Sequence, residues 1–281
     1  MNRTVWPTPD RSRLVEVDDV RVFVTDVGPQ DGPTVVMLHD VLRCAHAFSV
    51  LLEHMPQARR CVVIDLPGCG ESDRPDPERA QHHRVEWLAE IVGRALESLG
   101  VDRYDLVGAG FGGLVAMALA TIHPTRVVRL FGIGLPRGDA QYVHELRLAS
   151  LPGIGHRAFA RAYRRADLER TLGRSLADPR TLDSLTVDVY WDRLGRDGGM
   201  AAARDMLLQL HRAPAIGDAF ATSGVRTLLV WGERDPVGPL DRERWAEVLP
   251  SAQTLALDGC GQAAAEDRPD VVAAALAVEG A

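Results

Sequence analysis

The sequence predicts an α/β fold in which a doubly wound, mostly parallel sheet carries an inserted helical cap. Short apolar runs rich in β-branched residues alternate with helical patterns along the 281-residue chain, which is typical of βαβ units. Several runs are apolar throughout and end at glycine, as expected for strands that are covered on both faces. The length fits one large domain, or a core with an inserted subdomain.

The order of the core follows from its predicted strands. A helix from Phe111 to about Ile122 comes directly after the fourth strand. Right-handed connections between such units give a doubly wound sheet. The seven strand-like segments are 21–28, 34–39, 61–68, 104–110, 126–134, 226–232 and 253–259.

The cap is predicted from a long gap between two core strands. Residues 136–214 carry helical patterns and no strand pattern, so we assign the core to residues 1–135 and 215–281. Aromatic side chains in the cap either face a cleft or pack the cap onto the core. The candidate substrate-binding residues among them are Tyr163, Tyr190 and Trp191.

The composition excludes several classes of function. The net charge of −7 argues against nucleic acid and against an anionic membrane surface as partners. All basic residues are arginine, so mechanisms that need a lysine are excluded. The four cysteines show no C-x-x-C spacing, so neither a zinc site nor a redox motif is expected. We therefore expect no metal and no cofactor.

The N-terminal residues, MNRTVWPTPDRSR, contain no apolar run, so we expect no signal peptide. No apolar stretch approaches the roughly 20 residues of a membrane span. These features predict a cytoplasmic protein with reduced thiols. We expect a monomer or homodimer that binds a small-molecule substrate or ligand.

The turn after the fourth predicted strand has an unusual centre. It reads GAGFG, whereas a nucleophile elbow reads G-x-S-x-G, and its central residue is Gly110. Together with four other motifs, this turn resembles the α/β-hydrolase superfamily over nearly the whole chain, in particular the capped branch of esterases, epoxide hydrolases, haloalkane dehalogenases and C–C bond hydrolases. The other motifs are MLHD (37–40), DLPGCGESDRP (65–75), WGERDPVGP (231–239) and GCGQ (259–262).

The resemblance implies a degenerate catalytic triad. Nucleophile, acid and histidine map onto Gly110, Asp235 and Gln262, in the chain order of the family. Glycine offers no nucleophile, and a carboxamide is no base near neutral pH. The resemblance also implies an oxyanion hole formed by the N–H groups of Val41 and Phe111. We expect that Gly110→Ser combined with Gln262→His rebuilds the triad.

Two carboxyl groups are candidates for replacement acid–base chemistry. Asp40 follows His39 where the family commonly has glycine, and burial would raise its pKa; alternatively it is a turn residue. Asp235 either takes part in the chemistry or remains as a structural residue bonded to Gln262. His39 and His46 are candidates for substrate binding, with turn and packing roles as the alternatives.

Three functions remain open. The first is a non-hydrolytic cyclase, isomerase or lyase, such as one in bacterial natural-product biosynthesis, that acts on a small hydrophobic carbonyl compound through a retained oxyanion hole. The second is a non-catalytic ligand-binding or scaffold protein. The third is a residual hydrolase in which Asp235 or Asp40 activates a water molecule.

Overall fold

The computed structural model describes residues 11–76, 83–137, 142–150 and 156–277. Within these residues, eight strands form one sheet. They are β1 (Ser12–Val17), β2 (Val20–Val27), β3 (Thr34–Leu38), β4 (Arg60–Ile64), β5 (Tyr104–Ala109), β6 (Val127–Ile133), β7 (Arg226–Gly232) and β8 (Gln253–Leu257). Their order across the sheet is β1-β2-β4-β3-β5-β6-β7-β8.

The sheet is mixed and mostly parallel, which confirms the predicted fold class. Strand β2 is antiparallel to both of its neighbours, β1 and β4. All the other pairs are parallel; in one of them Leu38 on β3 is in register with Gly108 on β5. Strand β1 was not predicted, because its six residues alternate between buried and exposed positions and contain no continuous apolar run.

Helices cover both faces of the sheet, and the sheet separates two hydrophobic cores. Helices α2 and α3 pack against each other over one core, whereas α1, α11 and α12 pack together over the other. The described helices are α1 (Ser49–His54), α2 (Val85–Ser98), α3 (Phe111–Ile122), α4 (Val143–Ala149), α5 (His156–Ala162), α6 (Arg165–Arg174), α7 (Ser184–Gly195), α8 (Gly199–Gln209), α9 (Ala213–Phe220), α10 (Gly238–Val248), α11 (Ala264–Asp267) and α12 (Pro269–Ala277).

The inserted helical region lies between β6 and β7 and contains α4 to α8. Helix α9 packs against α3 of the core, so the predicted boundary at residue 214 falls inside a helix that contacts the core. The division into core and cap stays a prediction. None of the described helices is long and apolar enough to cross a membrane.

The sheet order positions the candidate site. Strand β3 lies beside β5, and the carboxyl ends of parallel strands meet at one edge of a sheet. Asp40 follows β3, Gly110 follows β5, Asp235 follows β7 and Gln262 follows β8. Four residues that are far apart in sequence therefore belong to loops at the same edge.

Candidate functional site

The turn between β5 and α3 is tightly constrained at Gly110. Its φ and ψ angles are 51° and −121°, a region that side chains strongly disfavour. A Cβ atom at this position would lie 2.0 Å from the carboxyl carbon of Asp40 and 2.1 Å from its Oδ1 atom. The carboxylate of Asp40 therefore fills the space that a side chain at position 110 would need.

The Oδ1 atom of Asp40 accepts two backbone hydrogen bonds. The N–H of Val41 donates at 2.8 Å and the N–H of Phe111 donates at 2.7 Å. These are the two groups that were expected to form the oxyanion hole. The structure corrects that expectation: the two donors do converge, but an internal carboxylate occupies them, so they are not available to a substrate carbonyl.

The Oδ2 atom of Asp40 has partners from the cap and from the loop after β8. The hydroxyl of Tyr142 donates at 2.5 Å, and Nε2 of Gln262 donates at 3.2 Å. Burial and the neighbouring Asp40 carboxylate raise the pKa of Tyr142 well above 10, so its phenol remains a donor. Asp40 is 3% exposed, and four hydrogen bonds hold its carboxylate in one orientation.

A buried ion pair adjoins Asp40. Arg43 donates from Nε to Glu266 at 2.5 Å and from a terminal nitrogen to Ser175 at 2.5 Å, and it lies 3.8 Å from Oδ2 of Asp40. The hydroxyl of Tyr190 donates to the other carboxylate oxygen of Glu266 at 3.1 Å. Burial alone would lower the pKa of Arg43, but Glu266 and Asp40 outweigh it and raise that pKa. The guanidinium therefore stays charged.

Asp235 and Gln262 both line a cavity of about 220 Å³. Asp235 accepts a hydrogen bond from the N–H of Val237 at 2.9 Å, and burial raises its pKa above 3.8. The expected bond between Asp235 and Gln262 is not formed, because the Gln262 amide donates to Asp40 instead. The other lining residues are Arg43, Tyr142, His144, Thr171, Arg174, Ser175, Pro236 and Val237.

His39 has a structural role, which corrects its assignment to substrate binding. Its Nδ1 atom lies 2.8 Å from the carbonyl oxygen of Asp40, and Nε2 accepts the N–H of Leu66 at 3.0 Å. Both ring nitrogens are thus bonded to backbone groups. Burial lowers the pKa of His39 to about 4, so the ring is neutral and ties two loops together.

The predicted aromatic contacts separate into two groups. Tyr163 is buried and stacks on Phe159 with ring centroids 5.6 Å apart, and the half-buried Trp191 packs against the core. These two residues line neither the cavity at Asp235 nor a larger cavity beside α1. The structure therefore corrects their assignment to substrate binding. His46 and Tyr190 do line a cavity, but it is a second one of about 440 Å³ that shares no lining residue with the first.

The cysteines offer no thiolate and no metal site. All four are buried and free. Burial raises the pKa of Cys61 to about 11 and that of Cys69 to about 12, so both are protonated at neutral pH. Among the described residues, no group of three or more His, Cys, Asp or Glu side chains is arranged to hold a metal ion.

Four residues at the site were not predicted. Tyr142, Ser175 and Glu266 gave no local signal, because each reaches the site from a distant part of the chain. Arg43 did give one: it is a charged residue within an otherwise apolar stretch, VLRCAHAF, and a buried cation in such a stretch requires a partner.

The chain is assigned to a sequence family by a family model that matches most of its length. A family model described as alpha/beta hydrolase fold matches residues 33–269. The chain belongs to the α/β-hydrolase fold family. Its sequence is similar to those of epoxide hydrolases and of hydrolases named for 2-hydroxy-6-oxo-dioates.

Characterised relatives of this α/β-hydrolase are hydrolases. It is 23% identical to Epoxide hydrolase 2 of Caenorhabditis elegans over 82% of this chain and 70% of that one. It is 29% identical to 2-hydroxy-6-oxononadienedioate/2-hydroxy-6-oxononatrienedioate hydrolase of Cupriavidus pinatubonensis over 89% and 88% of the two chains.

Solved structures share its fold. The epoxide hydrolase CorEH superimposes with a TM-score of 0.82 at 18% identity, covering 94% of this chain and 96% of that one. A loop variant of the haloalkane dehalogenase DbeA from Bradyrhizobium elkanii gives a TM-score of 0.79 at 20% identity, covering 94% of each chain.

Proposed function

We propose that this family member has lost covalent hydrolysis and acts on a small anionic molecule by non-covalent acid–base chemistry, as an isomerase or lyase. The observation that carries this proposal is the position of the Asp40 carboxylate, which accepts the N–H groups of Val41 and Phe111 and fills the space beside Gly110. Covalent hydrolysis in this fold needs a nucleophile, a base and an oxyanion hole.

Each of these three requirements is unmet. Gly110 has no side chain to attack a substrate. The amide of Gln262 cannot take a proton from water, and it is engaged with Asp40. The oxyanion-hole donors are bound to Asp40 as well. Positions 110 and 262 are thus, in our proposal, degenerate triad positions, and Asp40 keeps the site closed to carbonyl addition.

Asp235 is the group that we assign to proton transfer. It borders the smaller cavity, and burial raises its pKa, which makes the carboxylate a stronger base than an exposed one. Arg174 lines the same cavity, and its guanidinium is a permanent cation with several N–H donors. A carboxylate base beside a cationic donor is an arrangement suited to removing a proton next to a carbonyl group.

The charges around this cavity favour an anionic substrate. Arg43 and Arg174 both line it, and Arg174 is half exposed with a longer contact of 3.4 Å to Glu145. Guanidinium groups bind carboxylates well, and about 220 Å³ suits a small molecule. This replaces the expectation of a hydrophobic carbonyl substrate. The Cupriavidus pinatubonensis relative, which is named for an oxo-dioate, also supports a carboxylate substrate.

The test is hydrogen–deuterium exchange at C3 of 2-oxobutyrate, followed by proton NMR in heavy water. Asp235 would take the C3 proton, and solvent would return a deuteron to the same carbon. We expect exchange above background with the native chain and about 10²- to 10⁴-fold slower exchange with Asp235→Asn. The control is Asp218→Asn, which removes an exposed carboxylate on α9. Equal rates for the native chain and Asp235→Asn would refute the assignment.

A second candidate is a ligand-binding protein without turnover. The observation that favours it is that Asp40 has four hydrogen-bond donors and is shielded from the cavity by Tyr142 and Gln262. Binding of 2-oxobutyrate without exchange would select this candidate. Hydrolysis of activated esters that depends on Asp235 would instead select water activation by that carboxylate.

A further inference from the structure

The larger cavity, of about 440 Å³, lies apart from the degenerate triad. It opens between the core, at the segment around α1 and α11, and the cap, at the segment that leads into α7. Its volume lies in the range of about 300–1,000 Å³ that is typical of small-molecule sites, which often form between structural units. The proposed function uses none of its lining residues.

The walls of this cavity combine an apolar surface with an aromatic end. Tyr190 and His46 form that end, with ring centroids 5.8 Å apart and an edge-to-face arrangement. Val50 lies along the cavity and is 41% exposed, so it offers apolar surface to a ligand. The remaining apolar lining residues are Val27, Ala47, Leu52, Leu176 and Leu182.

Acidic residues outnumber basic residues along the cavity. Four acidic residues border it, whereas Arg11 is the basic residue among its lining. Glu266 is paired with Arg43, and one oxygen of Asp267 accepts the N–H groups of Ala177 and Gly261. Asp183 accepts the N–H of Leu185 at the start of α7. The four acidic residues are Glu53, Asp183, Glu266 and Asp267.

We propose that this larger cavity binds a small organic cation, namely an amine that carries an apolar chain or ring. The apolar wall would cover the chain, and the carboxylates would attract the ammonium group. The smaller cavity has the opposite preference, since two arginines line it. This inference does not depend on the proposed function.

The test compares three probes of the same skeleton by isothermal titration calorimetry on the full chain: 4-phenylbutylamine, 4-phenylbutanol and 4-phenylbutyrate. We expect the amine to bind at least about tenfold more tightly than the alcohol or the carboxylate, with an affinity that falls as salt is added. Equal affinities, or no binding of the amine, would overturn the proposal.

Charge-removing variants locate the site. Glu53→Gln combined with Asp183→Asn should weaken amine binding about tenfold or more, and asparagine keeps the cap that Asp183 provides to α7. The matched control is Glu90→Gln with Asp218→Asn, two exposed helical positions outside both cavities, which removes the same charge. If both pairs weaken binding equally, or neither does, the cavity is not the site.

A filling variant tests the apolar part. Leu182→Trp should abolish binding of the amine, and Thr186→Trp provides a second variant at another half-buried lining position. Binding retained in whichever of these variants folds would contradict the proposal. Asp235→Asn should leave amine binding unchanged, because Asp235 lies in the other cavity; failure of the exchange experiment therefore leaves this result intact.

Discussion

The carboxyl carbon of Asp40 lies 2.0 Å from the point that a Cβ atom at Gly110 would occupy. Two carbon atoms cannot approach so closely without a bond, so the native Asp40 conformation and a side chain at position 110 exclude each other. The backbone angles at Gly110 add a second barrier, because φ is +51°. The residues are 70 positions apart in the chain, and the loop after β3 brings them together.

Restoring two residues should therefore not restore a serine hydrolase. The variant Gly110→Ser/Gln262→His should remain unlabelled by a fluorophosphonate probe, because Asp40 still occupies the oxyanion hole and the serine position. Adding Asp40→Gly should permit labelling, since it frees the N–H groups of Val41 and Phe111. This replaces the expectation that the double variant suffices.

Intact-mass spectrometry measures the labelling in both variants and in the parent chain. Asp40→Gly alone is the matched control, because it opens the oxyanion hole without adding a nucleophile. Full labelling of the double variant would show that Asp40 moves aside readily, and would count against a fixed carboxylate.

The clash should also appear in stability. Gly110→Ala should lower the free energy of unfolding by about 3 kcal/mol, from strain at positive φ together with overpacking against Asp40. In an Asp40→Gly background the same substitution should cost about 1–2 kcal/mol less. Urea denaturation of the four proteins gives this coupling. Additive effects of the two substitutions would contradict the contact.

Arg43 should be costly to remove. Arg43→Met leaves the buried Asp40 and the half-buried Glu266 without their cation, so we expect a loss of about 3 kcal/mol in the free energy of unfolding. Adding Glu266→Gln should recover part of that loss, because one of the unpaired charges is removed. Chemical denaturation measures both variants; a loss below about 1 kcal/mol for Arg43→Met would contradict the proposed charge balance.

His39 should make the fold sensitive to acid. Its pKa in the folded protein is about 4, below the ordinary value of 6.5, so the unfolded chain binds the proton more tightly. Stability from this residue is complete above pH 6.5 and falls by about 3 kcal/mol as the pH drops toward 4. Burial of the ring gives the physical reason. A protonated ring would also be unable to accept the Leu66 N–H at Nε2.

The measurement is the free energy of unfolding from pH 7 to pH 4, compared between the native chain and His39→Gln. Asp65 and Asp241, whose pKa values are raised to about 6 by burial, act in the opposite direction in both proteins. Oδ1 of Asp65 lies 4.0 Å from Nε2 of His39, so the difference between the two curves reports His39 together with its effect on Asp65. Parallel curves would show that His39 keeps its ordinary pKa in the fold.

The fold was largely predictable because its central strands are apolar on both faces. Seven strands and the bounds of α3 followed from continuous apolar runs that end at glycine. Strand β1 was not predicted, because a half-exposed strand at the edge of the sheet has no continuous apolar run. The antiparallel pairing of β2 with β4 was not predicted either, because local sequence patterns do not show in which direction a strand runs beside its neighbour.

The site was predictable in its positions but not in its contacts. Motif spacing identified Gly110, Asp235 and Gln262, and the residue after His39 drew attention to Asp40. The orientation of that carboxylate depends on Tyr142 from the cap and on the missing Cβ atom at position 110. Such relations join distant segments, and no periodicity or spacing in a single sequence reveals them.

The occupied turn also fixes the order in which substitutions can accumulate in a lineage. An aspartate in the native Asp40 conformation fits only after position 110 has lost its side chain, because the two would overlap. Once the aspartate is present, a serine at position 110 alone would overlap the carboxylate. A side chain at position 110 then requires a coordinated change at Asp40, so the aspartate constrains position 110 to remain glycine.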